Sequence, residues 1–417
     1  MEKRILFLTS VPIVADNVSD FNTGNYVFLA SIYSFLYKFP QVDFITRKEI
    51  KKRLEYDSDW IKKNYDILIT WSANFFALSY LNDFKVEADF VKSCKIPYYV
   101  LGIGSQNDIE NNFKNLVSIN DAAKIYVDAI LNSGGTLTLR GELTNDYLKS
   151  LGYYNLPVLG CPSIYINRMD YKLNDNKVSL KEFKPMFCAQ QIKNLSYKLY
   201  KTYPDSKFFG QEEYLKALFL PDTQKNNTNL TDSSFIKLFE QGRILGDINY
   251  YPWVKQILDG KFNFSYGPRI HGNIIAIQNK VPACVKIIDS RTREITEFYK
   301  NPNTLQYPFN EKKDSLYDLY KSISFEDFNR NYMDKYNNFI NFLSNITNID
   351  VDKFKSTTSK DEFIDYLSKF EYLKYDKNYN NLKEYKQLVK ILKKKLIEKK
   401  ISKILPICMW GKSNPSI

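Results

Sequence analysis

The sequence predicts an α/β fold with two parallel sheets in succession, followed by a helical region. Two observations indicate this architecture. Short apolar runs alternate with amphipathic stretches up to about position 300, and beyond about position 310 the pattern is helical and almost free of glycine. Hydrophobic residues make up 44% of the 417 residues and charged residues 25%, which is the balance of a globular protein with a sizeable core.

Five apolar runs in the first part of the chain predict strands, and the stretches between them predict helices. The predicted strands are Ile5–Thr9, Asp66–Thr70, Tyr98–Gly102, Thr136–Leu139 and Leu156–Leu159. The predicted helices are Val27–Tyr37, Phe76–Val91, Asp121–Asn132 and Thr144–Leu151. Continuous apolar strands that alternate with helices indicate a parallel sheet covered on both faces. We therefore expect a first Rossmann-like lobe over residues 1–165, with its ligand crevice at the carboxyl ends of the strands.

A polar segment, 164–185, predicts a linker, and a second α/β pattern follows it. Its predicted strands are Phe187–Ala189, Lys207–Gly210, Gly242–Asp247, Phe262–Ser265 and Ala283–Ile288. Its predicted helices are Ser196–Thr202, Ser234–Gln241, Trp253–Leu258 and Asn273–Asn279. These elements predict a second Rossmann-like lobe over 180–305. Two such lobes facing a cleft are the GT-B-like arrangement of many transferases.

The third region, residues 310–417, predicts a helical appendage that ends in a basic helix over 382–404. The basic side chains of this helix are Lys386, Lys390, Lys393, Lys394, Lys395, Lys399, Lys400 and Lys403. Apolar residues recur among them. Two interpretations stay open: a helix that docks on anionic lipid at the inner face of a membrane, or a packed C-terminal helix with a solvated basic face.

The composition argues against several classes of function. The single His and the five scattered Cys include no Cys-x-x-Cys or His-x-x-x-His spacing, so we expect no metal site. An odd number of unpatterned cysteines indicates a reducing, cytoplasmic setting. The net charge of +12, with 32 Tyr and 29 Phe, would also suit a nucleic-acid binder. Because acidic residues are interleaved with the basic ones and no binding signature is present, we expect no nucleic-acid partner.

The stretch Phe262–Glu294 carries the clearest chemical signal. It reads as a strand, a Gly-Pro turn, a helix, a Val-Pro turn, a strand and a polar loop. Arg269 and His271 fall where the helix begins, and free backbone N–H groups with the helix dipole favour an anion there. Gly267 and Gly272 would let a ligand approach the backbone closely. A fixed cation suited to bidentate contacts and the single His of the chain therefore share a predicted anion pocket.

Several motifs together resemble the polysaccharide pyruvyltransferase family. The resemblance rests on SYGPRIHGNIIAIQNKVPACV with the following DSRTRE, on YVLGIGSQ (99–106), on LTLRGELTNDYLKSLGY (137–153) with PVLGCPS (157–163), and on TGNY (23–26). It extends in patches from about residue 5 to about residue 300. Two positions depart from the family pattern. Gly141 stands where an acidic residue usually follows the arginine, and Cys161 stands where a carboxylate is usual.

The resemblance implies pyruvyl transfer from phosphoenolpyruvate to a sugar diol, forming a ketal in bacterial surface-polysaccharide or capsule synthesis without a cofactor. His271 would be the acid and base, while Arg269 and Arg140 would clamp anionic groups from opposite walls of the cleft. The other predicted substrate-binding residues are Gly24, Asn25, Gly104, Ser105, Gln106, Gly267, Gly272, Arg291 and Glu294. For Arg291, a place in the phosphate pocket and a place on a surface loop both stay open. The acceptor would be an oligosaccharide or a lipid-linked sugar.

Two alternatives remain. A glycosyltransferase with a nucleotide-sugar donor would place the diphosphate at Gly267–Gly272 and a ribose hydroxyl on Glu294. A carbohydrate-binding module without turnover would use the many tyrosines for stacking, but it would not require Arg269 beside His271.

Overall fold

A computed structural model describes residues 2–15, 22–110, 113–169, 171–211, 215, 233–356 and 359–372. Within these residues, two five-stranded sheets are formed, and all strand pairs in both are parallel. The predicted α/β class with two Rossmann-like sheets in a GT-B-like arrangement, followed by a helical region, is thereby confirmed.

The first sheet has the strand order β2-β1-β3-β4-β5. Its strands are β1 (Ile5–Thr9), β2 (Val42–Thr46), β3 (Ile67–Trp71), β4 (Tyr98–Ile103) and β5 (Thr136–Leu139). Sequence inspection missed β2, because this edge strand is only partly buried and carries an exposed Asp43. The strand predicted over Leu156–Leu159 is wrong, since this segment makes only a single bridge, between Leu139 and Val158.

Six helices connect and cover this sheet. They are α1 (Thr23–Leu36), α2 (Arg47–Tyr56), α3 (Trp60–Asn64), α4 (Asp83–Cys94), α5 (Asn120–Asn132) and α6 (Glu142–Ser150). The helix predicted over Phe76–Val91 is wrong in its first part. The backbone of Phe76 instead bonds to the loop after β4, with its N–H donating to the Gly104 carbonyl at 3.2 Å. A 3-10 turn over Leu78–Tyr80 follows, and α4 begins only at Asp83.

The second sheet has the strand order β10-β9-β6-β7-β8. Its strands are β6 (Pro185–Cys188), β7 (Lys207–Phe209), β8 (Ile244–Leu245), β9 (Phe264–Gly267) and β10 (Ala283–Val285). Its helices are α7 (Tyr197–Thr202), α8 (Ser233–Glu240), α9 (Tyr250–Gly260), α10 (Ile270–Gln278) and α11 (Ser290–Tyr299). The strand order reverses between β6 and β9, so a crevice is expected at the carboxyl ends of these two strands.

The beginning of the predicted linker 164–185 belongs to the core. Pro162–Asn167 forms a 3-10 helix in which Ile164, Tyr165 and Ile166 are buried. The Ser163 carbonyl accepts a hydrogen bond from the Ser31 hydroxyl of α1 at 3.0 Å. The segment is therefore packed against α1, because its apolar run is too hydrophobic to remain in solvent.

The region after 310 is helical over the described residues, as expected. Its helices are α12 (Leu316–Ser322), α13 (Glu326–Thr347), α14 (Val351–Ser356) and α15 (Lys360–Ser368). Phe339 of α13 stacks on Tyr165 and meets Phe35 of α1 edge-on, with ring centroids 5.0 and 5.6 Å apart. The basic helix predicted over 382–404 lies outside the described residues, and the lobe boundaries stay predictions. No helix in the described part of the chain is long and apolar enough to cross a membrane.

Hydrogen bonds join the carboxyl-end edges of the two sheets. After β4, the Asn107 N–H donates to the Ser290 hydroxyl of α11 at 2.8 Å. After β5, the Thr144 N–H donates to the Glu294 carboxyl at 2.6 Å. At the start of α1, the Thr23 hydroxyl donates to the Asp247 carbonyl at 3.0 Å. The loops in which a ligand would bind therefore face one another.

Candidate functional site

The turn that begins α10 lies at the reversal point of the second sheet. Gly267 ends β9 with φ +149°, in a region that L side chains rarely adopt, and Arg269 is the N-cap residue of α10. The Arg269 N–H donates to the Cys188 carbonyl at 3.0 Å. The buried Asn273 amide donates to the carbonyls of Gly267 and Arg269, both at 2.9 Å. These bonds fix the direction in which Arg269 and His271 leave the backbone.

The two glycines of this turn make room for protein atoms, which differs from the expected close approach of a ligand. A Cβ on Gly267 would lie 2.1 Å from the Cys188 carbonyl oxygen, and a Cβ on Gly272 would lie 2.8 Å from the Cys188 Cβ. The short side chains let β9 and α10 pack directly on β6. Gly267 and Gly272 therefore position Arg269 and His271 through packing.

His271 lies in a small cage between α1 and the segment around Cys161. Its Nε2 is 3.8 Å from the Cys161 Sγ, and its ring meets that of Phe28 edge-on at 6.4 Å between centroids. Burial, as the largest cause, and the positive charges of Arg140, Arg291 and Arg269 together lower the pKa of His271 to about 3. The imidazole is therefore neutral at pH 7.

Gly24, at the start of α1, closes this cage. A Cβ at this position would lie 2.9 Å from the His271 Nδ1 and 3.1 Å from the Asn22 side-chain oxygen. Only glycine therefore allows the imidazole to keep its place. Asn25 follows on the first turn, where its N–H donates to the Asn22 carbonyl at 2.9 Å.

Replacing Gly24 with alanine is expected to displace the imidazole. With His271 as the predicted acid and base, kcat should fall about tenfold or more, because a shift of about 1 Å in a proton-transferring group is costly. The melting temperature is expected to change little, since alanine favours the helix by up to about 1 kcal/mol and offsets the new contact. Steady-state kinetics and thermal melting of the G24A variant test this. Wild-type kcat in that variant would show that the position of the imidazole does not matter.

Arg140 reaches the site from the other sheet, directly after β5. Its side chain is 1% exposed and donates to the Asn74 side-chain oxygen and to the Ala73 carbonyl. Its Nε has no hydrogen-bond partner among the described residues. A Cβ on Gly104 would lie 3.0 Å from the Arg140 Cζ, so this glycine admits the guanidinium. Burial lowers the pKa of Arg140, but the group stays cationic at pH 7.

Glu294 of α11 is buried between the two sheets. One carboxyl oxygen accepts the Thr144 N–H, and the other, Oε2, has no hydrogen-bond partner in the described part of the chain. A Cβ on Gly141 would lie 2.4 Å from the Glu294 Cγ, so the glycine after Arg140 makes room for this side chain. Burial raises the pKa of Glu294 to about 7, although Arg140 and the Thr144 N–H act in the opposite direction.

Replacing Glu294 with glutamine is expected to stabilise the protein at pH 8 and not at pH 4.5. The folded state holds the proton of Glu294 up to about pH 7, whereas an ordinary glutamate loses it near pH 4.3. Stability contributed by this group therefore falls as the pH rises through this interval, by up to about 3 kcal/mol. Denaturant unfolding of the E294Q variant and the wild type across this pH range tests the prediction. Glu297→Gln, on the exposed part of the same helix, is the matched control.

The remaining predicted site residues surround this centre at different distances. The positive charge of Arg291 helps to lower the pKa of both His271 and Arg140. Its guanidinium donates to the Asp289 carboxylate at 2.8 Å. Ser105 is buried, and its N–H donates to the Thr144 hydroxyl at 2.8 Å. The Gln106 side chain is exposed, and its backbone N–H donates to the Phe76 carbonyl at 3.0 Å. The structure thus brings Gly24, His271, Arg269, Arg140, Arg291 and Glu294 together.

Sequence inspection missed several polar residues at this edge. The backbone N–H groups of Thr144 and Asn107 donate to side chains of α11 in the other half of the molecule. Gln211 and Asp247 are buried just beyond the ends of β7 and β8. Asp247 is the last residue of the predicted strand Gly242–Asp247, and a polar residue at a strand end is a usable signal in an α/β protein. Gln211 and Asn107 offered no comparable signal.

Comparisons with known proteins identify a family and a set of distantly similar solved structures. The sequence model of the family described as polysaccharide pyruvyl transferase matches residues 22–290. No curated protein matches the sequence. Among solved structures, S. aureus MnaA with UDP is 12% identical, covering 83% of this chain and 97% of that chain with a TM-score of 0.44. A candidate UDP-N-acetylglucosamine 2-epimerase from Listeria monocytogenes is 9% identical, covering 84% and 98%, with a TM-score of 0.43.

Proposed function

The chain belongs to the polysaccharide pyruvyl transferase family and is a transferase, and from this premise we propose that it transfers pyruvyl from phosphoenolpyruvate to a sugar diol. One observation supports the proposal most directly. Three arginines, Arg140, Arg269 and Arg291, lie close enough to the neutral His271 imidazole for their charges to lower its pKa. Phosphoenolpyruvate presents a phosphate and a carboxylate on the same carbon. Several guanidinium groups from two sheets suit both anions, because each can form a bidentate pair.

The reaction requires three changes at the donor. The methylene carbon takes up a proton, which makes the adjacent carbon electrophilic. One acceptor hydroxyl bonds to that carbon and gives up its proton. The second hydroxyl then bonds to it as the carbon–oxygen bond to phosphate breaks. Of the two hydroxyl protons, one balances the proton taken up by the methylene carbon and the other leaves with phosphate, so a ketal and inorganic phosphate are the only products.

In this mechanism His271 carries the proton between the acceptor hydroxyl and the methylene carbon. The imidazolium can donate its proton to the methylene carbon, and the neutral imidazole so formed can take the proton that the hydroxyl gives up. The three arginines disfavour that imidazolium in the protein alone. The phosphate and carboxylate groups of a bound donor offset the charge of the arginines, so donor binding is expected to raise the pKa of His271. Protonation of the imidazole is then favoured when the donor is bound.

The setting of the reaction is part of the proposal. The four cysteines of the described residues, Cys94, Cys161, Cys188 and Cys284, are free and buried, which supports a reducing, cytoplasmic location. The acceptor is proposed to be an oligosaccharide or a lipid-linked sugar of a surface polysaccharide. For the lipid-linked case, contact with the inner face of the membrane would come from the basic segment 382–404.

The proposal is tested by incubating the protein with phosphoenolpyruvate and a panel of methyl glycosides. Phosphate release that requires both substrates, together with a glycoside product carrying a pyruvyl ketal in mass spectra, is the expected result. Parallel incubations with UDP-, GDP- and CMP-sugars test the alternative donor. Nucleotide release there, with no reaction of phosphoenolpyruvate, would replace pyruvyl transfer by glycosyl transfer.

A further inference from the structure

A second group of buried polar side chains lies at the carboxyl ends of β7 and β8. Gln211 is 1% exposed and Asp247 is 4% exposed. Phe209 pairs with Leu245 in register, so Gln211 and Asp247 each follow two residues beyond that pair. Because neighbouring strands are about 4.8 Å apart, these two residues lie at adjacent strand ends, which places them in one cluster at this edge of the sheet.

This cluster borders His271 on the side of the first turn of α1. The Gln211 Nε2 is 3.5 Å from the position of a Cβ on Gly272, the residue after His271. Thr23 donates its hydroxyl proton to the Asp247 carbonyl, and the adjacent Gly24 touches the imidazole. Gln211 and Asp247 therefore each lie beside a direct chain neighbour of the His271–Gly24 contact, Gln211 beside Gly272 and Asp247 beside Thr23.

The hydrogen-bonding capacity of this cluster exceeds what the described protein atoms use. The Gln211 Nε2 has no hydrogen-bond partner among the described residues. The Asp247 carboxyl accepts the Asn249 N–H at 2.9 Å, and burial raises its pKa to about 7. The groups that favour its charged form are the backbone of Asn249 and Ile248 and the Asn249 side chain, with no Lys or Arg among them. Leaving such groups buried is costly unless a ligand completes their hydrogen bonds.

The chemistry of the cluster differs from that of the arginine side of the site. An amide N–H donates to a hydroxyl oxygen, and a carboxyl oxygen accepts a hydroxyl proton. This pair matches neighbouring hydroxyl groups of a sugar, whereas a phosphate would meet a carboxyl without a compensating cation. We propose that Gln211 and Asp247 form a subsite for a sugar diol of the acceptor glycan, beside the first turn of α1. This inference rests on the proposed function, since it takes the glycan as the acceptor.

The experiment measures acceptor kinetics and direct sugar binding in two near-isosteric variants, Asp247→Asn and Gln211→Met. With phosphoenolpyruvate as donor, both variants are expected to raise the KM for the methyl glycoside about tenfold or more, the cost of about one buried hydrogen bond. The KM for phosphoenolpyruvate should stay within about twofold of wild type. Asp259→Asn is the matched control, because Asp259 lies exposed on α9 beside Lys255. If D247N does not fold, Q211M alone decides, and an unchanged glycoside KM in a folded variant overturns the inference.

Saturation-transfer NMR separates failure of this subsite from failure of the proposed function. Methyl glycosides and uridine are added separately to the protein without donor. A glycoside signal that both variants weaken supports the subsite even if phosphoenolpyruvate proves not to be the donor. A uridine signal that the variants weaken, with none from any glycoside, assigns the diol to a nucleotide ribose and overturns an acceptor subsite. Absence of both signals also overturns it.

Discussion

Replacement of His271 by glutamine is expected to lower kcat for phosphate release by about 10²–10⁴-fold, the usual contribution of a positioned proton-transfer group. Glutamine keeps a neutral hydrogen-bonding side chain of similar reach but cannot carry a proton. Because His271 is neutral at pH 7 in the protein alone, the substitution removes no ion pair. The melting temperature should therefore stay near that of the wild type, and the binding of phosphoenolpyruvate should persist in calorimetry.

Cys161→Ser is the companion to this variant. The thiol lies 3.8 Å from the His271 Nε2 and 2.9 Å from the Ser163 hydroxyl, so a serine fills nearly the same space. We expect kcat to stay within about tenfold of wild type, because the proton carrier is retained. If C161S costs as much as H271Q, the cage around the imidazole matters through its shape, and proton transfer by His271 is not supported. Activity of H271Q within a few-fold of wild type would exclude the proposed role outright.

Replacement of Arg269 by lysine is expected to lower kcat/KM for phosphoenolpyruvate by about 10–100-fold. Lysine preserves the charge near His271, so the electrostatic environment of the imidazole is largely kept. It cannot reproduce the planar fork that binds two oxygens of one anion. Loss of one charge-assisted hydrogen bond of about 1.5–3 kcal/mol corresponds to this range. Steady-state kinetics with varied phosphoenolpyruvate at saturating glycoside measure it.

Arg293→Lys is the control for Arg269→Lys. Arg293 lies on α11 and donates to the Glu297 carboxylate at 2.8 Å and to the Ile109 carbonyl at 2.9 Å. It is not among the arginines whose charges most strongly lower the pKa of His271. Its replacement should change kcat/KM by no more than about twofold. Equal effects of the two substitutions would show that Arg269 contributes only general positive charge to the site.

Local sequence signals predicted the elements that form one continuous segment. β1 and β5 have the predicted bounds, and α10 begins beside the predicted Arg269–His271 pair. The edge strand β2 escaped detection because only part of it is buried. The first turn of the predicted helix at Phe76 did not form because its backbone bonds to the loop after β4. At Phe76, a loop that is distant in the sequence therefore determined the backbone conformation, which the local pattern did not predict.

The sequence by itself determined the alternation of strands and helices, the family motifs, and the proximity of Arg269 to His271, since three residues at a helix start cannot lie far apart. Only the tertiary structure decided which distant groups join them. Arg140 and Cys161 lie near His271, and Glu294 interacts with Arg140, because strand order and loop packing bring together edges far apart in the chain. The same packing set Gly267 and Gly272 against Cys188 and aligned Gln211 with Asp247. Such contacts depend on which strands become neighbours, and the periodicity of a single chain does not contain that information.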